Sequence, residues 1–305
     1  MLFEECEAIF VRKCNAQNLS EETIRNYKYC LKTFFDFCRQ RNISDIEQVN
    51  RYNIMDYMAY LNDKYSSVTA CDKFIILKAF FTCMTNLDNI PVNPMENMRR
   101  PKVEKTIINS FSQSDIKEIM NGFDKSDFIG YRNYTIMCLL FATGIRKSEL
   151  LDIELPDIDW ATNLVKIYGK GRKERLVPLG NTIQKVLLAY LRKRKEYIRE
   201  RKCPNNIKLF ITKDGHPLSK SGLDTVFSHL KLGKKSWSTR VSAHTFRHTF
   251  AKFFLLNGGD LFSLQKILGH EDISTTRIYV DLNNNEMKVQ NDRFNPLDNN
   301  RWQYY

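Results

Sequence analysis

The chain has 305 residues, which is enough for two ordinary domains, each with its own hydrophobic core. Hydrophobic residues make up 43% of the sequence and charged residues 27%, as in a soluble globular protein, and the most apolar stretches are too short for a membrane-spanning helix. Lys and Arg number 47 against 35 Asp and Glu, so the formal net charge is +12 and we expect a polyanionic partner, nucleic acid first and an acidic membrane surface second.

The first ninety or so residues are predicted to be helical. Ser20 is a suitable helix N-cap, and Glu21 and Glu22 follow it in the first turn. The apolar residues that come next are spaced so that they share one face of a helix. A second helix is predicted over 53–65, and a third is predicted to start after Ser66 or Ser67 and to run through 69–84. Another face of the first of these helices is basic. The basic residues of this face, Arg25, Lys28 and Lys32, are candidates for DNA contact. A merely solvated face would explain them equally well.

Residues 89–106 interrupt the helical pattern with three prolines and four basic residues. The residue before a proline is disfavoured in a helix, so we expect a linker here. The predicted organisation is therefore a helical core DNA-binding domain over 1–88, a basic linker over 89–106 and a second domain over 107–305. A basic linker suits a chain that wraps around a duplex, and a solvated connector would have the same composition. The linker's candidate DNA contacts are Arg99, Arg100 and Lys102.

The second half of the sequence mixes helices with a short sheet. A helical pattern ends at Gly144, a residue that readily adopts the left-handed conformation at a helix C-terminus. The stretch 163–180 alternates apolar and polar residues around a glycine-containing turn at 169–172, which predicts a β-hairpin. The remaining predicted elements are a helix over 181–202, a short strand and turn over 208–219, and closing helices over 243–256, over 261–268 and from Ser274.

One helix start carries an unusual number of cationic side chains. His244 and Arg247 lie three residues apart in the first turn or so of the helix over 243–256, and His248 follows one turn after His244. The N-terminus of a helix is already positive, so cations there are unfavourable unless an anion is bound between them. Packing or solvation would equally explain His248. The phenylalanines of this helix are expected to serve the core: Phe246, Phe250, Phe253 and Phe254.

Three further segments carry side chains that could join this cluster. Arg146 follows the glycine-terminated helix and precedes Glu149, and Lys170 lies between two glycines at the predicted hairpin tip. His270 follows Gly269, and Tyr279 shares a helical face with Thr276 if Ser274 begins that helix. Each of these motifs alone is a weak signal, because single histidines and tyrosines are usually packed or hydrogen-bonded for structural reasons.

Four stretches in one order are together a much more specific signal: ATGIRKSELLDI, GKGRKERLVPLG, HTFRHTFA and LGHEDISTTRIYV. With them, the chain resembles the tyrosine recombinases (the phage integrase family), in particular their two-domain Xer-like members and the integrases of mobile elements. The resemblance implies a mostly α-helical fold with a small antiparallel β-sheet in the C-terminal domain. It also implies a two-domain clamp, with a helical SAM-like core-binding domain ahead of the catalytic domain.

The resemblance assigns roles in breaking a DNA phosphodiester. Tyr279 would be the nucleophile, forming a 3′-phosphotyrosine. Arg146 and Arg247 would clamp the non-bridging phosphate oxygens, whose charge grows in the transition state, because guanidinium is planar, bidentate and permanently charged. In the hairpin, Arg172 and Lys173 are added as candidate DNA contacts.

The resemblance also assigns proton transfer and the orientation of neighbouring groups to particular residues. Lys170 would protonate the departing 5′-oxygen as general acid, and His244 would assist with the proton of the attacking phenol. His270 would hydrogen-bond the phosphate, and Glu149 would orient its neighbours. The sequence contains no HExxH motif and no P-loop, so neither a metal ion nor another cofactor is expected, and rejoining would need no ATP.

The expected partner is double-stranded DNA with a specific recombination site, and strand exchange would proceed through a Holliday junction. The resemblance implies a homotetramer on synapsed DNA in which the segment after Tyr279 docks onto a neighbouring protomer through Met287, Val289 and Phe294. A frayed tail is the other interpretation of that segment. Accessory DNA-bending or excision proteins are conceivable partners, and a membrane is not expected. The biological task would be integration and excision of a mobile element or Xer-type resolution.

Two alternatives stay open on the sequence. A type IB topoisomerase uses the same chemistry to relax supercoils as a monomer, and a non-catalytic DNA-binding regulator would share the positive charge. The acidic N-terminal residues do not suit a secretory leader, and the eight cysteines contain no CxxC pair. We therefore expect buried free thiols and a cytoplasmic, nucleoid-associated protein.

Overall fold

The computed structural model describes residues 1–103, 110–169, 173–232, 239–272 and 274–277. Contacts divide the chain into two compact units, Met1–Thr106 and Ile107–Tyr305, and each is described separately below. None of the helices within these ranges is both long and apolar enough to cross a membrane. All eight cysteines are free thiols, as predicted, and six of them are buried.

The first unit is a bundle of helices around an aromatic core. Ser20 caps the second helix, its side chain accepting from the backbone N–H of Thr23 at 3.2 Å, and Ser66 caps the fourth in the same manner. Both helix starts were predicted from serine followed by an apolar pattern, and both are confirmed. The helices are α1 (Phe3–Ala16), α2 (Glu21–Arg39), α3 (Arg51–Lys64) and α4 (Ser67–Asn86).

Helices α1, α2 and α4 bury their apolar faces against one another. The ring of Phe34 meets that of Phe81 edge-on, and Phe10 meets Phe80 in the same geometry. The segment predicted as a linker contributes Ile90 and Met95 to this core, so its first part packs with the helices. The six basic residues proposed from the sequence for DNA contact in this unit are all exposed: Arg25, Lys28, Lys32, Arg99, Arg100 and Lys102.

The second unit packs helices around a small sheet, and its core is continuous from the start of the unit to Phe246. Gly144 ends α6 with φ of +62°, which confirms the left-handed C-terminal residue predicted there. The helices are α5 (Gln113–Asn121), α6 (Phe128–Thr143), α7 (Lys147–Asp152), α8 (Asn181–Arg201), α9 (Lys220–Leu232), α10 (Ala243–Leu256), α11 (Leu261–Leu268) and α12 (Ser274–Arg277).

The sheet is antiparallel and has the order β1 (Ile158–Asp159), β2 (Leu164–Tyr168), β3 (Glu174–Pro178). The predicted hairpin is confirmed as β2 and β3, with Ile167 opposite Arg175. Because side chains alternate along a strand, Arg175 shares the inner face of β3 with the buried Val177, whereas Leu176 faces outward. The basic residue of this strand is therefore on the inside and its leucine on the outside.

One predicted strand is absent as a regular element. The segment 208–219 makes only isolated bridges, between Glu154 and Lys208 and between Ile211 and Pro217. Its turn is closed by the N–H of Thr212, which donates to the carbonyl of His216 at 2.7 Å, and Gly215 has φ of +81°. The apolar run Leu209–Ile211 is buried, so burial rather than membership of a ladder accounts for its hydrophobic pattern.

Candidate active site

Arg146 begins α7 directly after the turn that ends α6. Glu149 reaches back from the first turn of α7, accepting from the backbone N–H of Arg146 at 2.7 Å and from its Nη1 at 2.8 Å. The guanidinium also approaches the carbonyl oxygen of Gly269 at 3.4 Å. With 43% of its side chain exposed, Arg146 is held in place yet accessible to a ligand.

Glu149 is the buried acid of the site, only 3% exposed. Arg175 holds it in a bidentate ion pair, with Nη1 2.9 Å from Oε1 and Nη2 2.7 Å from Oε2. Burial alone would raise the pKa of Glu149, but hydrogen bonds from Arg175 and from the backbone of Arg146 lower that pKa to about 2. Glu149 therefore stays ionised at neutral pH while it is bonded to Arg146, and its role in orienting its neighbours stays a prediction.

Arg247 lies beneath the site and is only 4% exposed. Its Nη1 donates to the carbonyl of Gly144 at 2.8 Å, and its Nη2 donates to the carbonyl of Leu268 at the same distance. These are the C-terminal ends of α6 and α11, where carbonyl oxygens have no partner within their own helix. Arg247 thus fastens α10 to the two turns that lead to Arg146 and His270.

His270 is positioned by two hydrogen bonds through opposite ring nitrogens. Nη2 of Arg247 lies 2.6 Å from Nε2, and Nδ1 lies 2.8 Å from the hydroxyl oxygen of Thr276. Since an arginine only donates, Nε2 must accept, which assigns the proton to Nδ1 and makes Thr276 its acceptor. Burial and then the neighbouring Arg247 lower the pKa of His270 to about 4, so the ring is neutral at pH 7.

His244 and His248 lie one turn apart on α10, and their rings meet edge-on with centroids 4.0 Å apart. His244 is exposed, whereas His248 is buried. The side chains packed beside His244 partly desolvate its ring, and this desolvation, followed by the charge of Arg247, lowers the pKa of His244, so that it is neutral and able to accept a proton. Burial lowers the pKa of His248 to about 4. The helix start that the sequence analysis described as cationic therefore carries one charged arginine, Arg247, beside neutral histidines.

The lowered pKa values of these histidines predict that the free energy of unfolding falls as the pH is lowered, already above the pH at which carboxylates titrate. In the unfolded chain a histidine has a pKa near 6.5, so below that pH the unfolded state binds more protons than the folded state. Stability is therefore full above pH 6.5 and declines toward pH 4, with His248 alone accounting for about 3 kcal/mol across this range. Urea unfolding at pH 7.5 and pH 5.0 measures the decline. His248→Phe should reduce it, and a decline in His248→Phe equal to that of the wild type would contradict the prediction.

The base of the hairpin adjoins the His270 turn. The N–H of Gly169 donates to the carbonyl of Lys173 at 2.8 Å, which closes the loop between β2 and β3. Lys173 forms an exposed ion pair with Glu271, the residue after His270. Lys170 and Arg172 within that loop, and Tyr279 beyond α12, lie outside the described residues, so their predicted roles stay predictions.

The structure thus brings together the predicted residues that it describes: Arg146, Glu149, Arg247 and His270, with His244 beside them. Sequence reasoning missed Arg175 and the role of Thr276. A signal for Arg175 existed, because it alternates in phase with Val177 and a basic residue on an inner face needs an acidic partner. Within the part of the chain that the structure describes, no group of three or more His, Cys, Asp or Glu is placed to hold a metal ion.

A second feature of this unit is an apolar cavity of about 630 Å³ between α5, α6, α8 and α10. Of the four phenylalanines expected to serve the core, only Phe246 is fully buried. The other three, Phe250, Phe253 and Phe254, are partly exposed and line the cavity. Met120, Tyr134 and Phe141 line it with them and are also partly exposed. Ala142, exposed near the end of α6, also contributes to the lining.

Two family models and curated relatives match this chain. The model of the phage integrase family matches residues 109–286, and that of the phage integrase N-terminal SAM-like domain matches residues 14–86. The tyrosine recombinase XerD of Staphylococcus saprophyticus is 31% identical over 281 residues, which cover 92% of this chain and 94% of that protein. The XerD of Staphylococcus haemolyticus is 30% identical with the same coverage.

Solved structures show the same fold at lower identity. The Tn1549 transposon integrase in complex with a circular intermediate DNA has a TM-score of 0.72 at 17% identity, covering 94% of this chain and 99% of that one. The XerH site-specific recombinase in a post-cleavage complex with a palindromic difH substrate has a TM-score of 0.67 at 20% identity, covering 91% and 81%. By the family models and the XerD relatives, the chain belongs to the phage integrase family, the tyrosine site-specific recombinases.

Proposed function

We propose that this chain breaks a DNA phosphodiester with Tyr279 as nucleophile and rejoins the strands after exchange through a Holliday junction. The observation that carries the proposal is the convergence of Arg146, Arg247 and His270 on one site. Arg146 and His270 each follow the turn at a helix end, and Arg247 of α10 bonds to both turns. Such a site is built for an oxyanion that gains charge during the reaction. We further propose that the enzyme acts on DNA in the cytoplasm, at the nucleoid.

The two arginines divide the work of holding the phosphate. Arg247 is immobilised by carbonyls at 2.8 Å, so it requires little reorganisation when the transition state forms. Arg146 is more exposed and offers its guanidinium to the incoming DNA while Glu149 maintains its direction. Among the described residues that bond to one another here, the guanidiniums of Arg146, Arg175 and Arg247 are set against the carboxylate of Glu149, so this group carries a net positive charge before DNA binds.

Proton movement follows the protonation states of the neutral histidines. The attacking phenol has to lose a proton, and His244 is exposed, neutral and next to Arg247, as a base for that step would be. In our proposal His270 stays neutral: its Nδ1–H donates to Thr276 and its Nε2 accepts from Arg247, so that it holds the Arg247 guanidinium at the phosphate site. Lys170, in the loop between Gly169 and Lys173, would protonate the 5′-oxygen that leaves.

A covalent adduct tests the proposal directly. A pool of nicked duplexes with randomised binding arms is first selected for binding, and the selected duplex is then incubated with the protein. A nick near the cleaved bond lets the small fragment escape and traps the intermediate. We expect an adduct that survives SDS, and we expect Tyr279→Phe to abolish it with DNA affinity kept, since phosphate contacts dominate affinity. Adduct formation by Tyr279→Phe would refute the nucleophile, and the absence of an adduct with the wild type would refute cleavage.

The same assay tests the expected metal independence. Cleavage in buffer with EDTA is expected to equal cleavage with Mg²⁺, because the cationic side chains of the site supply the charge that a metal ion supplies in other phosphoryl-transfer enzymes. A strict requirement for Mg²⁺ would contradict this expectation. Equal rates would also separate the reaction from that of a metal-dependent nuclease.

We propose that the active form is a tetramer on synapsed DNA, in which residues 278–305 of one copy dock into the apolar cavity of the next. The cavity is lined mainly by aromatic and aliphatic side chains of α5, α6, α8 and α10. The C-terminal sequence supplies apolar groups of suitable size between polar residues, in Met287, Val289 and Phe294. Apolar surface buried at each contact would favour association by roughly 25 cal/mol per Å² before the entropic cost of association.

Ala142→Arg tests the docking site without disturbing the core. Ala142 is exposed at the C-terminal turn of α6, where a cation is tolerated, and an arginine there places a charge in the cavity. We expect at least a roughly tenfold loss of tetrameric DNA complexes in native gels, equivalent to 1.4 kcal/mol. Binding to a single duplex arm should not change. The control is Ala161→Arg, an equal change at an exposed turn position outside the cavity lining. Full assembly by Ala142→Arg would refute the docking site, as would equal losses in both variants.

A further inference from the structure

Arg175 makes contacts that no predicted catalytic role accounts for. It lies in β3 on the inner face, with 13% of its side chain exposed. Its Nη1 and Nη2 bind the two oxygens of Glu149, and its Nε donates to the carbonyl of Ile267 at 2.8 Å. Every nitrogen of the guanidinium is therefore engaged by the protein. A guanidinium held in this way acts on its neighbours and is not oriented toward a substrate.

The first neighbour that Arg175 controls is Glu149. This carboxylate accepts from two guanidiniums, and its Oε1 lies 2.8 Å from Arg146 and 2.9 Å from Arg175. Without Arg175, the buried charge of Glu149 would be compensated by Arg146 alone. Arg146 would then be drawn into a closed ion pair, and less of its positive charge would remain for a phosphate.

The second neighbour is the turn that carries His270. Ile267 is in the last turn of α11, and Gly269 follows it with φ of +66°. The side chain of Arg175 passes directly against this glycine, so that a Cβ built on Gly269 would lie 2.9 Å from Cδ of Arg175. Gly269 is required here by its backbone angle and also by the space that Arg175 occupies.

The third connection is to the hairpin itself. Arg175 faces Ile167 across the ladder, and the loop that contains Lys170 is closed two residues earlier at Lys173. One side chain thus joins the hairpin, the acid that orients Arg146 and the turn before His270. These three segments are far apart in sequence, since Glu149 and Arg175 are separated by 26 residues and Arg175 and Ile267 by 92.

We propose that Arg175 is a positioning residue for DNA cleavage, which acts through Glu149 to keep Arg146 available to the scissile phosphate. The proposal rests on the function proposed above. It assigns to Arg175 no contact with DNA and no proton transfer. Its loss should consequently slow the chemical step while DNA binding is largely retained.

The first arm of the experiment separates rate from affinity. Single-turnover adduct formation is measured on the selected nicked duplex at saturating protein, alongside DNA affinity. For Arg175→Met we expect a cleavage rate lower by about 30- to 100-fold, because a small misplacement of a phosphate clamp is costly, and an affinity changed by less than about threefold. The matched control is Arg194→Met. Arg194 is buried in α8, where its Nη2 donates to the carbonyls of Asn206 and Lys208 and its guanidinium adjoins Tyr190. The Arg194→Met protein should have a lower free energy of unfolding and an unchanged cleavage rate at temperatures well below its unfolding transition.

The second arm is a double-mutant cycle with Glu149→Gln. If Arg175 acts through Glu149, then Arg175→Met should slow the Glu149→Gln protein by no more than about threefold, far less than it slows the wild type. A residue that merely supported the fold would lower the rate by the same factor in both backgrounds. Should Arg175→Met fail to fold, Arg175→Lys takes its place. It keeps the charge but cannot span both oxygens and the Ile267 carbonyl, and we expect a loss of about tenfold.

The outcomes distinguish this inference from the proposed function. No adduct with the wild-type protein would refute the proposed function and the inference with it. An active wild type with Arg175→Met cleaving at the same rate would refute the inference alone. Multiplicative losses in the cycle, or an Arg194→Met protein slowed as much as Arg175→Met, would also overturn it.

Discussion

Replacing Arg247 by methionine is expected to remove cleavage and a large part of the stability of the C-terminal unit together. Methionine fills a similar volume but donates no hydrogen bond. The carbonyls of Gly144 and Leu268 and the ring of His270 all lose the donor that they share. Losing buried hydrogen bonds from a charged group should cost about 2–4 kcal/mol of unfolding free energy, and losing a fixed oxyanion donor at least about 10²-fold in the cleavage rate.

Arg146→Met should separate these two effects. Arg146 has the same predicted role at the phosphate, but 43% of its side chain is exposed. Without it, the buried Glu149 keeps its bidentate pair with Arg175, so we expect a change within about 1 kcal/mol. The cleavage rate should nonetheless fall by about 10²-fold or more.

Urea unfolding and single-turnover cleavage at saturating protein measure both quantities for both variants. If Arg247→Met is too unstable to assay, Arg247→Lys retains the charge but cannot bond both carbonyls at once, and its rate loss should remain large. Equal destabilisation by the two methionine variants would contradict the division between a buried anchor and an exposed clamp. So would a stable Arg247→Met protein.

Local signals were sufficient for the helices and for the motif residues. Ser20 and Ser66 cap helices where a serine precedes an apolar pattern, and Gly144 ends α6 in the left-handed conformation that favours glycine. These features depend on neighbours in sequence, so a local pattern captures them. Arg146 and Arg247 were predicted by motif, and the structure brings them to one site through contacts more than a hundred residues apart in sequence.

What the sequence did not reveal depends on tertiary packing. Arg175 is in a strand whose leucine points outward, because the inner face is reserved for the partner of Glu149. Hydropathy alone would have placed Leu176 inside. The same holds for α10, where Phe253 and Phe254 continue the apolar pattern of Phe246 but line a cavity instead of filling the core. An apolar pattern identifies the surface that avoids water and not the element that covers it.

The different environments of the histidines were also beyond the sequence. His244 and His248 lie one turn apart in the sequence motif, yet one is exposed and the other is buried with a pKa of about 4. Their difference comes from the helix face that packs against the rest of the unit, which a single sequence does not fix. Lys170 and Tyr279 lie outside the described residues, and their roles stay predictions from the motifs.

The second large effect is expected from Gly144→Ala, a change of one methyl group at the junction of α6 and α7. With φ of +62°, an alanine is strained by roughly 1–2 kcal/mol. Its Cβ would also lie 2.4 Å from Cδ1 of Phe250 and 2.8 Å from a methyl carbon of Leu268, so packed side chains of α10 and α11 must move. Overpacking of this kind adds about 1–3 kcal/mol, for a total of about 2–5 kcal/mol.

Gly144→Ala should also slow cleavage, because this turn sets two parts of the site at once. Its carbonyl accepts from Arg247 at 2.8 Å, and Arg146 is only two residues further along the chain. A shift of the turn therefore displaces both predicted phosphate clamps, and we expect a rate lower by about 10- to 100-fold at temperatures where the variant is folded.

Gly122→Ala is the matched control, since Gly122 also follows the last residue of a helix. Its φ is −75°, which alanine adopts without strain, and an added Cβ would meet only the carbonyls of Glu118 and Ile119 at 3.5 Å. We expect an unchanged cleavage rate and a stability change within about 1 kcal/mol, favourable in sign because alanine restricts the unfolded chain. Thermal unfolding and single-turnover cleavage of the two variants settle the matter. A Gly144→Ala protein as stable and active as Gly122→Ala would mean that this turn is not the rigid support of the arginine pair.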